Sequence, residues 1–204
     1  DAYFSKNNLE RLSWQSDLIL KAAMSSSVIG CRKCFGNLLE IFIKTDNFDG
    51  LFLKLVEVLE ISGLEIIDAN ISTSSNKALA ANTFIAKFSH HDRGLSKSEV
   101  KDLQIKINNN FHNFSTQKKK VHRKKKNIDT FNKNINITNI EEASKKRNFL
   151  TIETSDSPGL LIKIAKVLHE NGTSIYSARI NTLGDRVEDT FEIEDMTLSS
   201  VSKN

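Results

Sequence analysis

The chain has 204 residues, of which 39% are hydrophobic and 26% are charged, and its net charge is +4. This composition is typical of an ordinary soluble protein with one large or two small domains, and no apolar run reaches the roughly 18 residues that a membrane helix needs. The basicity is local, because without the seven Lys and Arg between Lys118 and Lys126 only 22 basic residues remain against 25 acidic ones. Such a run favours a solvated linker over a nucleic-acid contact, since no aromatic residue interrupts it for base stacking.

Residues 1–37 are expected to be a helical segment and a connector, the end of a missing upstream domain. Apolar residues recur near helical spacing before residue 24, with Trp14 as a packing anchor, and a short strand is predicted at Val28–Cys31. The start, DAYFSKNNLERL, lacks the apolar core of a signal peptide, so a cytoplasmic protein is expected. Cys31 and Cys34 form a lone C-x-x-C without further metal ligands, which favours reduced structural thiols.

Residues 38–140 have the pattern of one βαββαβ unit, with a basic linker at 115–128 inside it. A strand from Leu39 to Thr45, with Phe42 facing away from Ile41 and Ile43, precedes a helix that begins near Leu51 and ends at Gly63. Two further strands follow, ending at Thr73 and Phe88. A second helix spans 96–114 with a buried stripe of Val100, Leu103, Ile107 and Phe111, and Ile135–Thr138 is the predicted fourth strand.

The pattern then restarts, and the restart is an internal repeat. Adding 109 to positions 41–73 superposes them on 150–182, and 12 of the 33 pairs are identical, including glycines and core residues. Thr83-Phe84 matches Thr190-Phe191 after a hairpin that is two residues shorter. The predicted fold is therefore α+β, with two tandem ferredoxin-like βαββαβ units whose sheets are antiparallel; the second unit, 147–204, is incomplete at its C-terminus.

The second copy, FLTIETSDSPGLLIKIAKVLHENGTSIYSARINTLGDRVEDTFEIED, resembles an ACT domain. Its segment Ala178–Phe191 is similar to the final ACT repeat of the protein-PII uridylyltransferase/uridylyl-removing enzymes of bacterial nitrogen control. The first copy resembles the penultimate ACT repeat of that family, and YFSKNNLERLSW resembles the junction that precedes the pair. The resemblance covers nearly the whole chain.

The resemblance implies a C-terminal regulatory fragment whose ACT pair senses an amino acid, glutamine. In that family a nucleotidyltransferase domain, expected to use Mg²⁺, uridylylates the PII protein, and an HD-type domain removes the UMP. This chain carries no catalytic motif of either kind: it has no Gly-Ser dipeptide, and His91-Asp92 lacks the other HD ligands. No cofactor is expected in the chain itself. The implied partners are the amino acid, the catalytic domains and, through them, PII, but not a membrane or a nucleic acid.

The ligand is expected at the helix start Asp156, Ser157, Pro158, Gly159 and Leu160. Ser157 or Asp156 is a good N-cap, Pro158 suits the first helical position, and Gly159 permits close approach to N–H groups that can bind a carboxylate. An ordinary strand-to-helix turn is the alternative. The equivalent first-unit residues are weaker candidates, because the charge of Asp49 opposes a carboxylate and Asn47 must act as the cap; they are Asp46, Asn47, Asp49, Gly50 and Leu51.

Two further alternatives concern charged segments. Arg186, Glu188 and Asp189 form either a solvated hairpin or a contact with catalytic domains. A ferredoxin-like sheet with the basic run 118–126 can also indicate an RNA-binding module, but its central strands offer mostly aliphatic and small residues where RNA-recognition sheets carry aromatic ones.

Overall fold

The computed structural model describes residues 2–22, 25–74, 76–88, 94–114, 136–142 and 147–195. The basic run, His91-Asp92 and the residues after Asp195 lie outside these ranges. The elements in chain order are α1 (Ala2–Lys21), β1 (Val28–Lys33), β2 (Leu38–Asp46), α2 (Leu51–Ile61), β3 (Leu64–Thr73), β4 (Leu79–Phe88), α3 (Lys97–Asn113), β5 (Asn136–Glu142), β6 (Arg147–Ser155), α4 (Leu160–Glu170), β7 (Thr173–Leu183) and β8 (Arg186–Asp195). None of the helices described is long and apolar enough to cross a membrane.

All eight strands form one antiparallel sheet in the order β1-β2-β4-β3-β7-β8-β6-β5. This confirms the predicted α+β class with antiparallel ferredoxin-like units. The two units join edge to edge through β3 and β7, where Asn70 lies opposite Arg179. These two residues are 109 positions apart, so the repeats are related by a pseudo-two-fold axis through this pair.

The predicted fourth strand forms, but its assignment to the first unit is wrong. The strand exists as β5, but it pairs with β6 of the second unit. The edge position beside β2 is occupied by β1, with Gly30 opposite Phe42. In both units the edge strand thus precedes its neighbour in the chain. Alternation predicted the strand but not its partner, because the period of two marks faces and carries no information on pairing.

Helices α2, α3 and α4 cover one face of the sheet, and one hydrophobic core spans both units. Phe52 of α2 meets Phe191 of β8 edge to face, with ring centroids 6.0 Å apart. The predicted stripe of α3 is confirmed as buried. Val58 of α2, which is next to α3, is 0% exposed, whereas its repeat equivalent Val167 on α4 is 57% exposed. The described part of the second unit contains no counterpart of α3 to cover it.

Helix α1 lies on the other face, against the first unit. Trp14 confirms its predicted role by packing edge to face on Phe42, with centroids 6.4 Å apart. Glu40 is buried beneath α1 and is neutralised by Arg11 at 2.5 Å and Arg32 at 2.7 Å. A methyl group at Gly30 would lie 2.2 Å from Cδ1 of Leu18 in α1, so a larger residue there would have to displace the end of that side chain.

Candidate functional site

Both predicted ligand loops enter their helices through a glycine. Helix α4 begins at Leu160, and Gly159 is its N-cap with φ 72° and no side-chain capping bond. The predicted caps Ser157 and Asp156 are therefore wrong, and Pro158 precedes the helix instead of opening it. The Leu160 N–H donates to the carbonyl of Ser157 at 3.0 Å, so a backbone turn takes the place of the cap. A left-handed residue is needed at this bend, and glycine adopts it without steric cost.

The first loop has the same geometry. Gly50 has φ 75° and caps α2, and the Leu51 N–H donates to the carbonyl of Phe48 at 3.1 Å. Asn47, the predicted cap, instead donates through Nδ2 to the carbonyl of Lys77 at 3.0 Å. This bond ties the loop to the β3–β4 hairpin. The sequence suggested that Gly159 permits close approach of a ligand. In the structure, the glycine of each repeat instead provides the left-handed turn directly before the helix.

The pseudo-two-fold axis places each loop opposite the other unit, and a cavity lies behind each one. The first cavity, of about 280 Å³, lies between residues 47–53 and the other unit's residues 173–176, with His169 and Ala165 of α4. The second, of about 360 Å³, lies between residues 156–162 and the other unit's residues 64–66, with Glu60 and Val56 of α2. Of the ten predicted ligand residues, nine line one of these cavities; Asp46 ends β2 outside the lining.

The mouth of the first cavity carries charged and titratable groups of both signs. Asp49 Oδ1 lies 3.6 Å from His169 Nδ1, and both side chains are partly exposed. A methyl group at Gly50 would lie 3.0 Å from Cε1 of the same imidazole, so the loop and α4 approach closely there. Lys77 also lines this cavity. The mouth can therefore hold a zwitterion, while the floor is uncharged and consists of two apolar residues, Ile71 and Ala80, and two polar ones, Thr73 and Asn82.

Asn82 is the functional candidate that the sequence argument missed. Its side chain is 0% exposed, and Nδ2 donates to the carbonyl of Ile43 at 3.3 Å. Its Oδ1 is buried without a hydrogen-bond partner. Buried polar atoms without partners are rare and call for an explanation. The repeat contains a signal that could have found it, since Asn82 is equivalent to Asp189, and two polar residues recur at an inward position.

The second cavity differs from the first in the charge of its lining and in the strand residues that it includes. Three carboxylates line it, those of Glu60, Glu65 and Asp156, without any basic side chain among its lining residues. Glu65 is paired with Lys87 at 2.9 Å. Val187 stands where the first unit has Ala80, and neither Val187 nor Asp189 lines this cavity.

Asp189 is buried, which corrects the expectation of a solvated hairpin. Its side chain is 1% exposed, and Oδ1 accepts from the Asn181 N–H at 3.3 Å. Burial raises the pKa of Asp189 to about 7; the Asn181 N–H opposes that rise, and the charge of Asp156 adds to it. Thr154 Oγ1 is also buried without a partner, but Thr154 does not line the second cavity either. Arg186 pairs with Glu153 at 3.3 Å on the partly exposed side of the sheet.

The two cysteines are free thiols. Burial, and to a smaller extent the nearby Cys34, raise the pKa of the Cys31 thiol to about 12, so Cys31 is a protonated and unreactive thiol at neutral pH. Among the residues that the structure describes, no group of three His, Cys, Asp or Glu side chains could hold a metal ion.

The chain is similar over 97% of its length to curated proteins named bifunctional uridylyltransferase/uridylyl-removing enzyme. The relatives from Burkholderia mallei strain SAVP1 and Burkholderia pseudomallei strain K96243 are each 25% identical to it over 202 residues. The chain spans 23% of the length of these relatives. No protein-family model matches the sequence, and no solved structure matches it.

Proposed function

We propose that this chain is an amino-acid-sensing regulatory region of a uridylyltransferase/uridylyl-removing enzyme and that its ligand is glutamine. In this role it controls catalytic domains elsewhere in the enzyme, and through them the PII protein and nitrogen-metabolism signalling. The similarity supports this proposal, because it extends along 97% of the chain while involving 23% of the relatives' length. The remaining length of those relatives is where uridylyl transfer and removal are expected to reside.

One observation carries the proposal: each loop chosen from the sequence closes a cavity against the opposite unit. A ligand bound there contacts both units, so its affinity depends on how the units are placed. By linkage, ligand binding then favours the placement that binds it best, and any domain attached to the pair responds to that shift. The first turns of α2 and α4 add backbone N–H groups and the positive end of a helix dipole, which favour a carboxylate.

The RNA-binding alternative gains no support from the described residues. On the face turned away from α2–α4, the inner strands β3, β4, β7 and β8 carry small, aliphatic, polar and charged side chains, among them Asn70, Ser72, Arg179 and Thr190. Among the described residues, none of these four strands has an aromatic side chain on that face to stack on a base; in the neighbouring strands, Phe42 of β2 packs against Trp14 of α1, and Phe149 of β6 is half-buried on that face. Salt-dependent RNA binding that disappears when residues 118–126 are neutralised would restore this alternative.

Titration calorimetry of the chain with glutamine and with glutamate tests the proposed function. We expect saturable heat with glutamine, at a stoichiometry of one or two ligands per chain. Circular dichroism of the same sample establishes that it is folded. A folded chain that gives no heat with either amino acid would contradict the proposal.

A further inference from the structure

We infer that Asn82 determines specificity in the first cavity by accepting a hydrogen bond from an uncharged N–H group at the buried end of the ligand. The same inference assigns ligand binding to the first cavity and not to the second. It rests on the proposed function, since it names the cavity and the side chain that would recognise the amino acid. Three features of the described residues carry it.

The first feature is the orientation of the Asn82 amide. The backbone carbonyl of Ile43 can only accept a hydrogen bond, so the atom 3.3 Å from it must be the NH₂ group. This leaves Oδ1 as the atom without a partner. An oxygen in that position accepts hydrogen bonds and cannot donate them. A ligand group that pairs with Asn82 Oδ1 must therefore be a hydrogen-bond donor.

The second feature is the floor around this oxygen. Ile71 and Ala80 lie beside Asn82 in the lining of the cavity, and all three are 4% exposed or less. An ammonium group placed there would lose its hydration beside neutral side-chain acceptors only, the Asn82 amide and the Thr73 hydroxyl, which is costly. A primary amide N–H has no charge to desolvate. A carboxylate would place an oxygen against an oxygen, with no proton between them.

The third feature is the contrast between the two repeats. At the equivalent positions the second unit has Val187 for Ala80 and Asp189 for Asn82. Asp189 Oδ1 already accepts from the Asn181 N–H, and the second cavity does not reach it. The small residue and the unpartnered amide thus occur together in one unit, and both are replaced in the other.

The mouth of the first cavity completes the arrangement. Asp49, His169 and Lys77 stand at the entrance, where water can solvate the charged ends of an amino acid. The inferred pose therefore puts a carboxamide inside and the α-amino and α-carboxylate groups outside. The volume of about 280 Å³ is several times the ~30 Å³ that one water molecule occupies in the liquid.

The substitution Ala80→Val tests access to the buried amide. It gives the first unit the residue that the second unit already has, so the strand is expected to fold. Val187→Ala is the matched control in the other repeat, and Ala81→Val controls for strand propensity, because Ala81 is exposed on the opposite face. We expect A80V to weaken glutamine binding about tenfold or more in calorimetry. Both controls should stay within about twofold of the original chain.

The substitution Asn82→Leu tests the acceptor, with glutamine and glutamate as probes of nearly equal shape. We expect the original chain to prefer glutamine, and N82L to remove that preference by weakening glutamine about tenfold while changing glutamate little. A merely structural defect would weaken both probes alike. Unchanged preference in N82L, or unchanged affinity in A80V, would overturn the inference while leaving the proposed function intact. Absence of binding in the original chain would instead remove the proposed function, and the inference with it.

Discussion

Asp189 makes the chain's stability depend on pH, and Asp189→Asn should remove that dependence. The equivalent position in the first unit is Asn82, so the fold already accommodates the amide. Burial, together with the charge of Asp156, raises the pKa of Asp189 from 3.8 to about 7. Between those values the folded chain holds a proton that the unfolded chain has released. The contribution of Asp189 to the free energy of unfolding is therefore highest below about pH 4, falls as the pH rises, and levels off above about 7.

The size of this effect follows from the shift. About three pKa units at 1.36 kcal/mol each give about 4 kcal/mol as an upper bound, and solvent relaxation around the carboxylate reduces it. In D189N the side-chain oxygen can still accept from the Asn181 N–H, so the hydrogen bond at 3.3 Å is kept. We therefore expect D189N to be more stable than the original chain at pH 8 by roughly 2–4 kcal/mol. The difference should shrink toward zero near pH 4.

Urea unfolding followed by circular dichroism between pH 4 and pH 8.5 measures both curves. The other ionisable groups are common to the two chains and cancel in the difference. The matched control is Glu188→Gln, which removes a carboxylate from an exposed position next to Asp189. It should leave the pH slope unchanged. Parallel curves for D189N and the original chain would refute the reasoning, because Asp189 would then ionise equally in both states.

Two further predictions use the repeat as an internal control. Val58→Ala should cost about 2 kcal/mol of unfolding free energy in urea titration, because two fully buried methyl groups are lost, while Val167→Ala should cost close to zero. An equal cost at both positions would mean that another segment covers α4. Gly50→Ala and Gly159→Ala should each cost about 1–2 kcal/mol, because both φ angles are left-handed. Gly50→Ala should cost more, since its Cβ would lie 3.0 Å from the His169 ring, and His169→Ala should remove that excess; an excess that persists would contradict the contact.

The loops before α2 and α4 illustrate which features of the site could be predicted from the sequence and which could not. Repetition of Gly50 at Gly159 and of Leu51 at Leu160 correctly marked two equivalent strand-to-helix turns. The capping chemistry was misassigned, because Ser157 is a favourable cap in any isolated helix, while here a left-handed glycine turns the backbone first. Whether the ligand binds at either loop remains a prediction.

The periodic elements and the buried stripe of α3 could be predicted because they are local patterns of apolar residues, and the duplication because identical residues recur at an offset of 109. Three features could not be predicted in this way: β5 pairs in the second unit, β3 and β7 join the repeats into one sheet, and α1 packs on the opposite face. The tertiary structure also shows that the Asn82 oxygen has no partner while Asp189 is nearly closed off from solvent. These properties depend on contacts between residues far apart in the chain. The residue pattern of one segment does not show which other segments will pack against it.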